Sequence, residues 1–291
     1  MNIIALYLDR PGYCMEPVAR FLRQQGHKVH WAPLPIGGLG ARFQQLVTPS
    51  LENSSSWDIA ITPEPLCALG MRLRRIAKRQ IFWRIDYRPR RHLYSSALLN
   101  YLAKGVDEVW SIVPDRNYRH VPFMLDPEDL VDLDAPGYAR TREDRVLWIG
   151  PDYSGAGHAA IAAIRGLKNV LVATTNWQGK IASYSDVALR RLLFGSKVGL
   201  ALYGDEKRYS DPSRVKKFLA AGLAVVTDDS YPFAQEIQDA GAGVCLKAPV
   251  EPVSVLKAVS YCLREDVWTD MSKRAVELAK DYVVSEKWIQ L

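Results

Sequence analysis

The stretch DPSRVKKFLAAGLAVVTDD, Asp211 to Asp229, decides the fold. It joins a polar opening, a short amphipathic segment, a glycine and a β-branched apolar run. Asp211 or Ser213 is suited to cap a helix, with Pro212 at an early helical position. Gly222 stops that helix, and the run from Ala224 to Thr227 has the composition of a strand buried on both faces. A helix feeding a buried strand across one glycine is a piece of a parallel α/β sheet. Ligands of such sheets meet the loops at the carboxyl ends of the strands.

Outward from this stretch the same alternation recurs. Towards the carboxyl terminus a further strand is expected at Gly243 to Leu246. Towards the amino terminus strands are expected at Val198 to Leu202, Val170 to Ala173 and Arg145 to Gly150 (RVLWIG), with helices in the intervals. Before them, DPEDLVDLDAPGYARTREDR, Asp126 to Arg145, is rich in charge, proline and glycine and poor in large apolar residues, which marks a linker. The first half then repeats the pattern. Strands are expected at Ile3 to Leu8, Lys28 to Trp31, Trp57 to Thr62, Gln80 to Arg84 and Glu108 to Val113. Helices are expected at Cys14 to Gln25, near Arg42 to Val47, from about Leu66 to Lys78, and near Ser95 to Ala103. The sequence thus predicts an α/β chain of two Rossmann-like parallel-sheet domains, residues 1–135 and 136–291.

Composition agrees. The 291 residues exceed what one core usually serves, and 48% apolar with 24% charged residues is the make-up of a globular chain rather than a disordered or fibrous one. No charge-free apolar stretch reaches the 18 or so residues needed to cross a bilayer. The start, MNIIALYLDR, has neither a basic leader nor an apolar run long enough for a secretion signal, so a cytoplasmic location is expected. Cys14, Cys67, Cys245 and Cys262 stand far apart and are expected to be reduced, buried thiols.

Thirty-eight basic against 32 acidic residues give +6, unevenly spread. Between Arg72 and Arg91 lie nine basic residues, opposed within that window only by Asp86. Arg72, Arg74, Arg75 and Arg79 open this run and are candidates for contact with an anionic surface, either lipid headgroups at the inner membrane face or nucleic-acid phosphates. A solvated helix face is the plainer reading.

The residues that can carry chemistry gather around the opening stretch. Backbone N–H groups at the start of the helix, with Ser213 and Arg214 beside them, form a site suited to a diphosphate. The loop YSGAGHA, Tyr153 to Ala159, follows the strand RVLWIG, and its glycines let N–H groups approach phosphate oxygens, though a simple turn explains it as well. Tyr231 and Phe233 are candidates to flank a nucleobase, or to pack in the core. No GxGxxG follows either opening strand, which disfavours a dinucleotide oxidoreductase.

PSRVKKFLAAGLAVV resembles the nucleotide-sugar signature of GT-B glycosyltransferases of the family-4 type, in which P-S-K-x-x-E-Y-L-A-A-G-x-P-V-V is common. The resemblance covers nearly the whole chain in order. RVLWIG resembles the strand opening their donor domain, EIQDAGAGVCLK the segment after the signature, and DYVVSEKW the closing segment. VDEVWSIVP, RHVPFMLDPEDL and FWRIDYRP resemble stretches of their first domain. It implies a GT-B fold, two domains facing each other across a cleft. It also implies transfer of a sugar from a UDP-, GDP- or dTDP-linked donor to a hydroxyl of a glycan, a lipid-linked saccharide, modified DNA or a protein.

By the same resemblance Asp86 is the candidate catalytic acid or base; Asp9, which topology places at the end of the first strand on the same cleft, is a second. Arg214, Ser213, Lys217, Tyr153, Ser154, Gly155, Tyr209 and Glu236 are the donor-binding candidates. The family's pair of glutamates falls here on Tyr209 and Lys217, and its usual Arg and Lys after RVLWIG fall near Pro151 and Ala156. Arg214, with Lys207, Arg208 or Lys216, is then left to hold the phosphates. These departures are also what a noncatalytic GT-B-like partner subunit would show. His120 and His158 have no second imidazole at ligand spacing and no DxD-like pair stands in the first half, so neither a metal nor a cofactor is required.

Overall fold

The computed structural model describes residues 1–8, 15–34, 44, 57–85, 101, 104–138, 141–149, 157–167, 171–174, 187–204 and 211–291. It divides into two units, one formed by Met1–Met124 with Val284–Leu291 and the other by Leu125–Val283. The first unit therefore receives the last eight residues of the chain.

In the first unit the strands are β1 (Asn2–Leu8), β2 (Lys28–Leu34), β3 (Ile59–Thr62), β4 (Arg79–Arg84), β5 (Glu108–Ser111) and β6 (Arg119–His120), with helices α1 (Met15–Gln24) and α2 (Pro65–Leu73). All pairings are parallel, in the order β2-β1-β3-β4-β5-β6. Alternate residues serve opposite faces. Ile3, Ala5, Ile59, Ile61, Ile81 and Trp83 pack with Met15, Val18 and Leu22 of α1 and with Val284 and Ile289 of the returning tail. Ile4, Leu6 and Ala60 pack with Cys67 and Met71 of α2 on the other side. A sheet covered twice explains why these strands read as unbroken apolar runs.

The basic helix is shorter than the sequence predicts, ending at Leu73 instead of reaching Lys78. Arg74 turns extended, and the Arg75 guanidinium bonds the Lys78 carbonyl, closing a turn that leads directly into β4. The two-residue β6 has too little apolar pattern to be read from sequence. The helix expected near Arg42 to Val47 and the one near Ser95 to Ala103 lie almost wholly outside the described residues.

The second unit holds β7 (Glu143–Trp148), β8 (Leu171–Thr174), β9 (Ser196–Ala201), β10 (Ala224–Asp228) and β11 (Gly243–Leu246). Its helices are α3 (Gly157–Arg165), α4 (Val187–Gly195), α5 (Ser213–Ala220), α6 (Phe233–Asp239), α7 (Pro252–Cys262) and α8 (Glu265–Lys280). Its sheet is parallel, in the order β11-β10-β9-β7-β8. Val146, Val198, Leu200, Ala224 and Val226 form its core with Ala160 and Ile164 of α3 and Val255 and Val259 of α7. Gly222 ends α5 as expected. Its φ is +72°, and Leu223 N–H reaches back to the Phe218 carbonyl at 3.0 Å, a glycine-closed helix end.

Counted from its own first strand, each sheet runs second, first, third, fourth, fifth, and the first unit's sheet adds a sixth. Both units are thus Rossmann-like and wound the same way, each with one point where the strand order reverses: between β1 and β3 in the first, and between β7 and β9 in the second. Cys67 and Cys262 are buried, while Cys245 is only half-buried; these three are free thiols.

Candidate functional site

The reversal point of the second unit is where a ligand of such a sheet docks, just beyond the carboxyl ends of β7 and β9. Arg214 lies there. Its Nη1 donates a hydrogen bond to the Ile149 carbonyl at the end of β7, and its Cζ stands 5.0 Å from the ring centre of Tyr203, two residues past the end of β9. The residue that carries the sequence argument therefore bridges the two strands that define the crevice.

Several buried groups hold Tyr203 and Gly204, the residues described just past β9. Asp228, fully buried at the end of β10, accepts hydrogen bonds from the Tyr203 and Gly204 amides at 2.5 and 3.0 Å, and from the Ser230 amide and hydroxyl. Thr227 Oγ1 donates to the Ala201 carbonyl at 2.7 Å and shares a 2.9 Å bond with the Tyr231 hydroxyl. Sequence reading passed over Asp228 because it looks like one half of an ordinary Asp-Asp turn. Its position directly after a run of buried β-branched residues is the one signal that it had to be buried too.

The start of α5 differs from the expectation in one respect. Neither Asp211 nor Ser213 caps it: the N-cap residue is Pro212, which makes no side-chain cap bond. The Asp211 carboxylate is buried and faces the Lys216 ammonium instead, because a full charge at 5% exposure needs a countercharge more than the helix needs a cap. Ser213 itself is the first residue of α5, beside Arg214.

The other donor-binding candidates divide. Lys217 forms an ion pair with Asp129, in the 3-10 turn Pro127–Asp129. Glu236, in the first turn of α6, accepts a hydrogen bond from the Tyr282 hydroxyl. Tyr153, Ser154, Gly155 and Tyr209 lie outside the described residues, as do Asp86 and Asp9. The structure thus brings Ser213 and Arg214 together at the reversal point, and commits Lys217 and Glu236 to partners of their own. Tyr231 and Phe233 are core residues at 3% and 5% exposure. Tyr231 stands edge-on to Tyr203 and Phe233 edge-on to Tyr282, so neither face is open for a base to stack on.

The anionic-surface candidates belong to the first unit, around the amino-terminal end of its sheet. Arg72 donates to the Tyr101 carbonyl at 2.7 Å with its guanidinium 3.7 Å from that ring's centre. Arg75 pairs with Asp107, Arg79 with Glu108, and the nearby Lys78 with Asp58. Arg74 is exposed. In sequence this run faces only Asp86; in space three carboxylates at the starts of β3 and β5 answer it. Burial alone would raise the Glu108 carboxyl, but bonds from Arg79 and Trp110 outweigh it and hold the group below its ordinary 4.5.

Among the described residues no group of three His, Cys, Asp or Glu side chains is placed to hold a metal, and no helix is long and apolar enough to cross a membrane.

No protein-family model and no curated protein sequence matches the chain. Solved structures do match, over nearly the full length of both partners. Sucrose-phosphate synthase from Thermosynechococcus elongatus superposes with a TM-score of 0.70 at 12% identity, covering 99% of this chain and 96% of that one. HepE of Anabaena, solved in complex with UDP-glucose, gives 0.65 at 11% identity, covering 97% and 95%. WaaG, a glycosyltransferase involved in lipopolysaccharide biosynthesis, gives 0.64 at 12% identity, covering 96% and 95%. Together with the two Rossmann-like sheets, these likenesses establish the GT-B fold for this chain.

Proposed function

We propose that the protein is a glycosyltransferase that takes a nucleotide sugar at the reversal point of its second unit and transfers the sugar to a hydroxyl of an acceptor held by the first. The single observation behind this reading is the Arg214 guanidinium bridging the ends of β7 and β9, at the start of a helix with no side-chain cap, in a GT-B fold. Departure of a nucleoside diphosphate needs its growing negative charge neutralised. A fixed guanidinium beside helix-start amides supplies that. HepE, solved with UDP-glucose, supports a nucleotide-linked donor. UDP-, GDP- and dTDP-sugars are the donors to test.

If the anomeric centre inverts, a base must take the acceptor proton. By the resemblance Asp86, two residues beyond the end of β4, is proposed for that role, with Asp9 as second candidate. Tyr209, by the resemblance, and Tyr153, Ser154 and Gly155, from the glycine-bearing sequence that follows RVLWIG, remain proposed donor contacts. The acceptor is proposed to be a membrane-associated glycan or lipid-linked saccharide, because the basic run continues past Arg84, at the carboxyl end of β4, to Arg88, Arg90 and Arg91. A peripheral contact with the inner membrane face rests on Arg74 together with Leu73 and Tyr101, 67% and 51% exposed, around the internally paired Arg72, Arg75 and Arg79.

The noncatalytic partner subunit is favoured by one specific observation: Lys217 stands where the family has a glutamate, and it is paired with Asp129. Incubation with a panel of nucleotide sugars and assay for hydrolysis or transfer decides between the two. The enzyme reading expects release of nucleoside diphosphate from at least one donor, slowed in Asp86→Asn with little change in donor affinity. Donor binding without any turnover would leave the partner-subunit reading.

A further inference from the structure

Beneath the starts of α5 and α6 lies a buried polar cluster that the reading above does not use. Asp211 and Lys216 bracket Arg214 in the chain, and their side chains meet at 2.5 Å with 5% and 1% of each residue exposed. The Lys216 ammonium also stands 3.9 Å from the centre of the Tyr282 ring and 5.2 Å from that of Phe233. Tyr282, just past the end of α8, donates its hydroxyl hydrogen bond to Glu236 in the first turn of α6. One ammonium thus joins the loop entering α5, the start of α6 and the end of α8.

Stability alone does not account for this arrangement. A buried ion pair recovers little beyond the cost of desolvating its charges, and apolar residues of similar volume often serve the fold as well or better. Helix α5 is already anchored by Val215, Phe218 and Leu219, all fully buried. An apolar pair in place of Asp211 and Lys216 would fill the space without fixing the direction in which Asp211-Pro212-Ser213 enters the helix. A short ammonium–carboxylate contact backed by an aromatic face does fix it. Pro212 makes no side-chain cap bond to α5, and the Asp211–Lys216 contact ties the residue before that cap to the fourth residue of the helix.

We propose that Lys216, acting with Asp211, Tyr282 and Glu236, is a positioning residue: it sets the geometry of Arg214 and of the first turn of α6 for the donor without touching the donor itself. This rests on the donor reading of Arg214.

The test compares Lys216→Met, the double variant Asp211→Asn/Lys216→Met and Tyr282→Phe with wild type and with Arg214→Ala. The readouts are melting temperature, the dissociation constant for whichever of UDP-, GDP- or dTDP-glucose binds wild type, and amide hydrogen exchange at Ser213 to Val215. Lys216→Met alone takes the ammonium from a buried carboxylate and is expected to lower the melting temperature. The double variant removes both charges and is expected to regain it, yet to bind donor about tenfold more weakly and to exchange those amides faster. Tyr282→Phe is expected to melt like wild type with donor binding weakened several-fold. Donor affinity that recovers together with stability in the double variant, or a Tyr282→Phe protein with wild-type affinity, overturns the proposal. If Arg214→Ala weakens binding while the double variant does not, only the positioning role fails. If Arg214→Ala has no effect, the donor reading itself fails; amide exchange unchanged in the double variant then removes the positioning role as well.

Discussion

The Arg214 guanidinium donates a hydrogen bond to the Ile149 main-chain carbonyl, so the first turn of α5 is tied to the end of β7, a strand 65 positions earlier in the chain. The same guanidinium lies over the Tyr203 ring beyond β9. One side chain therefore spans the point at which the strand order of the second sheet reverses.

Arg214→Lys separates charge from shape. Lysine keeps the cation but loses the planar fork that reaches a carbonyl and stacks on a ring at once. Donor affinity is expected to fall by about tenfold, roughly 1.4 kcal/mol, with the fold intact. Isothermal titration with the best donor checks it; unchanged affinity would mean that charge alone matters at this position.

Asp228→Asn tests the support of Tyr203 and Gly204 past the end of β9. An amide nitrogen facing the Tyr203 or Gly204 N–H leaves a buried donor unanswered. A loss of about 2 kcal/mol is expected in urea unfolding.

Gly199→Ala probes how closely α5 lies on β9. A Cβ at this position would stand 2.5 Å from the Phe218 ring, closer than any ordinary contact. Overpacking of this kind is expected to cost about 1–3 kcal/mol. Adding Phe218→Leu should return part of it, since the smaller side chain leaves room; a second change that only worsens stability would show that the ring is not the obstacle.

Glu108 contributes to acid sensitivity with a definite sign. Its folded carboxyl titrates below the ordinary 4.5, so the stabilisation is complete above that value and is lost as pH falls through the lower folded value. Glu108→Gln removes the titration. Unfolding free energy measured from pH 7 downward should start lower in the variant and decline less steeply below pH 4.5. Parallel curves would show that the Arg79 and Trp110 bonds do not hold the carboxylate in its charged form.

Much of the fold was legible because its signals are local. Ala224 to Thr227 announced a buried strand, Gly222 a helix end, and Arg214 a basic group beside that helix start. What escaped depends on partners far along the chain. The short run from Arg72 to Arg79 looks like an unopposed basic surface, yet Asp58, Asp107 and Glu108 answer it through strand ends that only the sheet brings together. Asp211 looks like a helix cap until the fold buries it against Lys216. By contrast, Tyr231 and Phe233 read in sequence as either stacking platforms or core residues, and the fold buries both.

The central claim, that Arg214 marks a nucleotide-sugar site in the second unit, is tested most directly by thermal unfolding of wild type and Arg214→Ala with UDP-, GDP- and dTDP-linked sugars. At a ligand concentration about 100 times the dissociation constant, a donor that binds adds about 2.7 kcal/mol of stability. The account predicts a clear upward shift for wild type with at least one donor and most of that shift lost in the variant. A flat response of wild type to every donor, or an equal shift in both proteins, would contradict it.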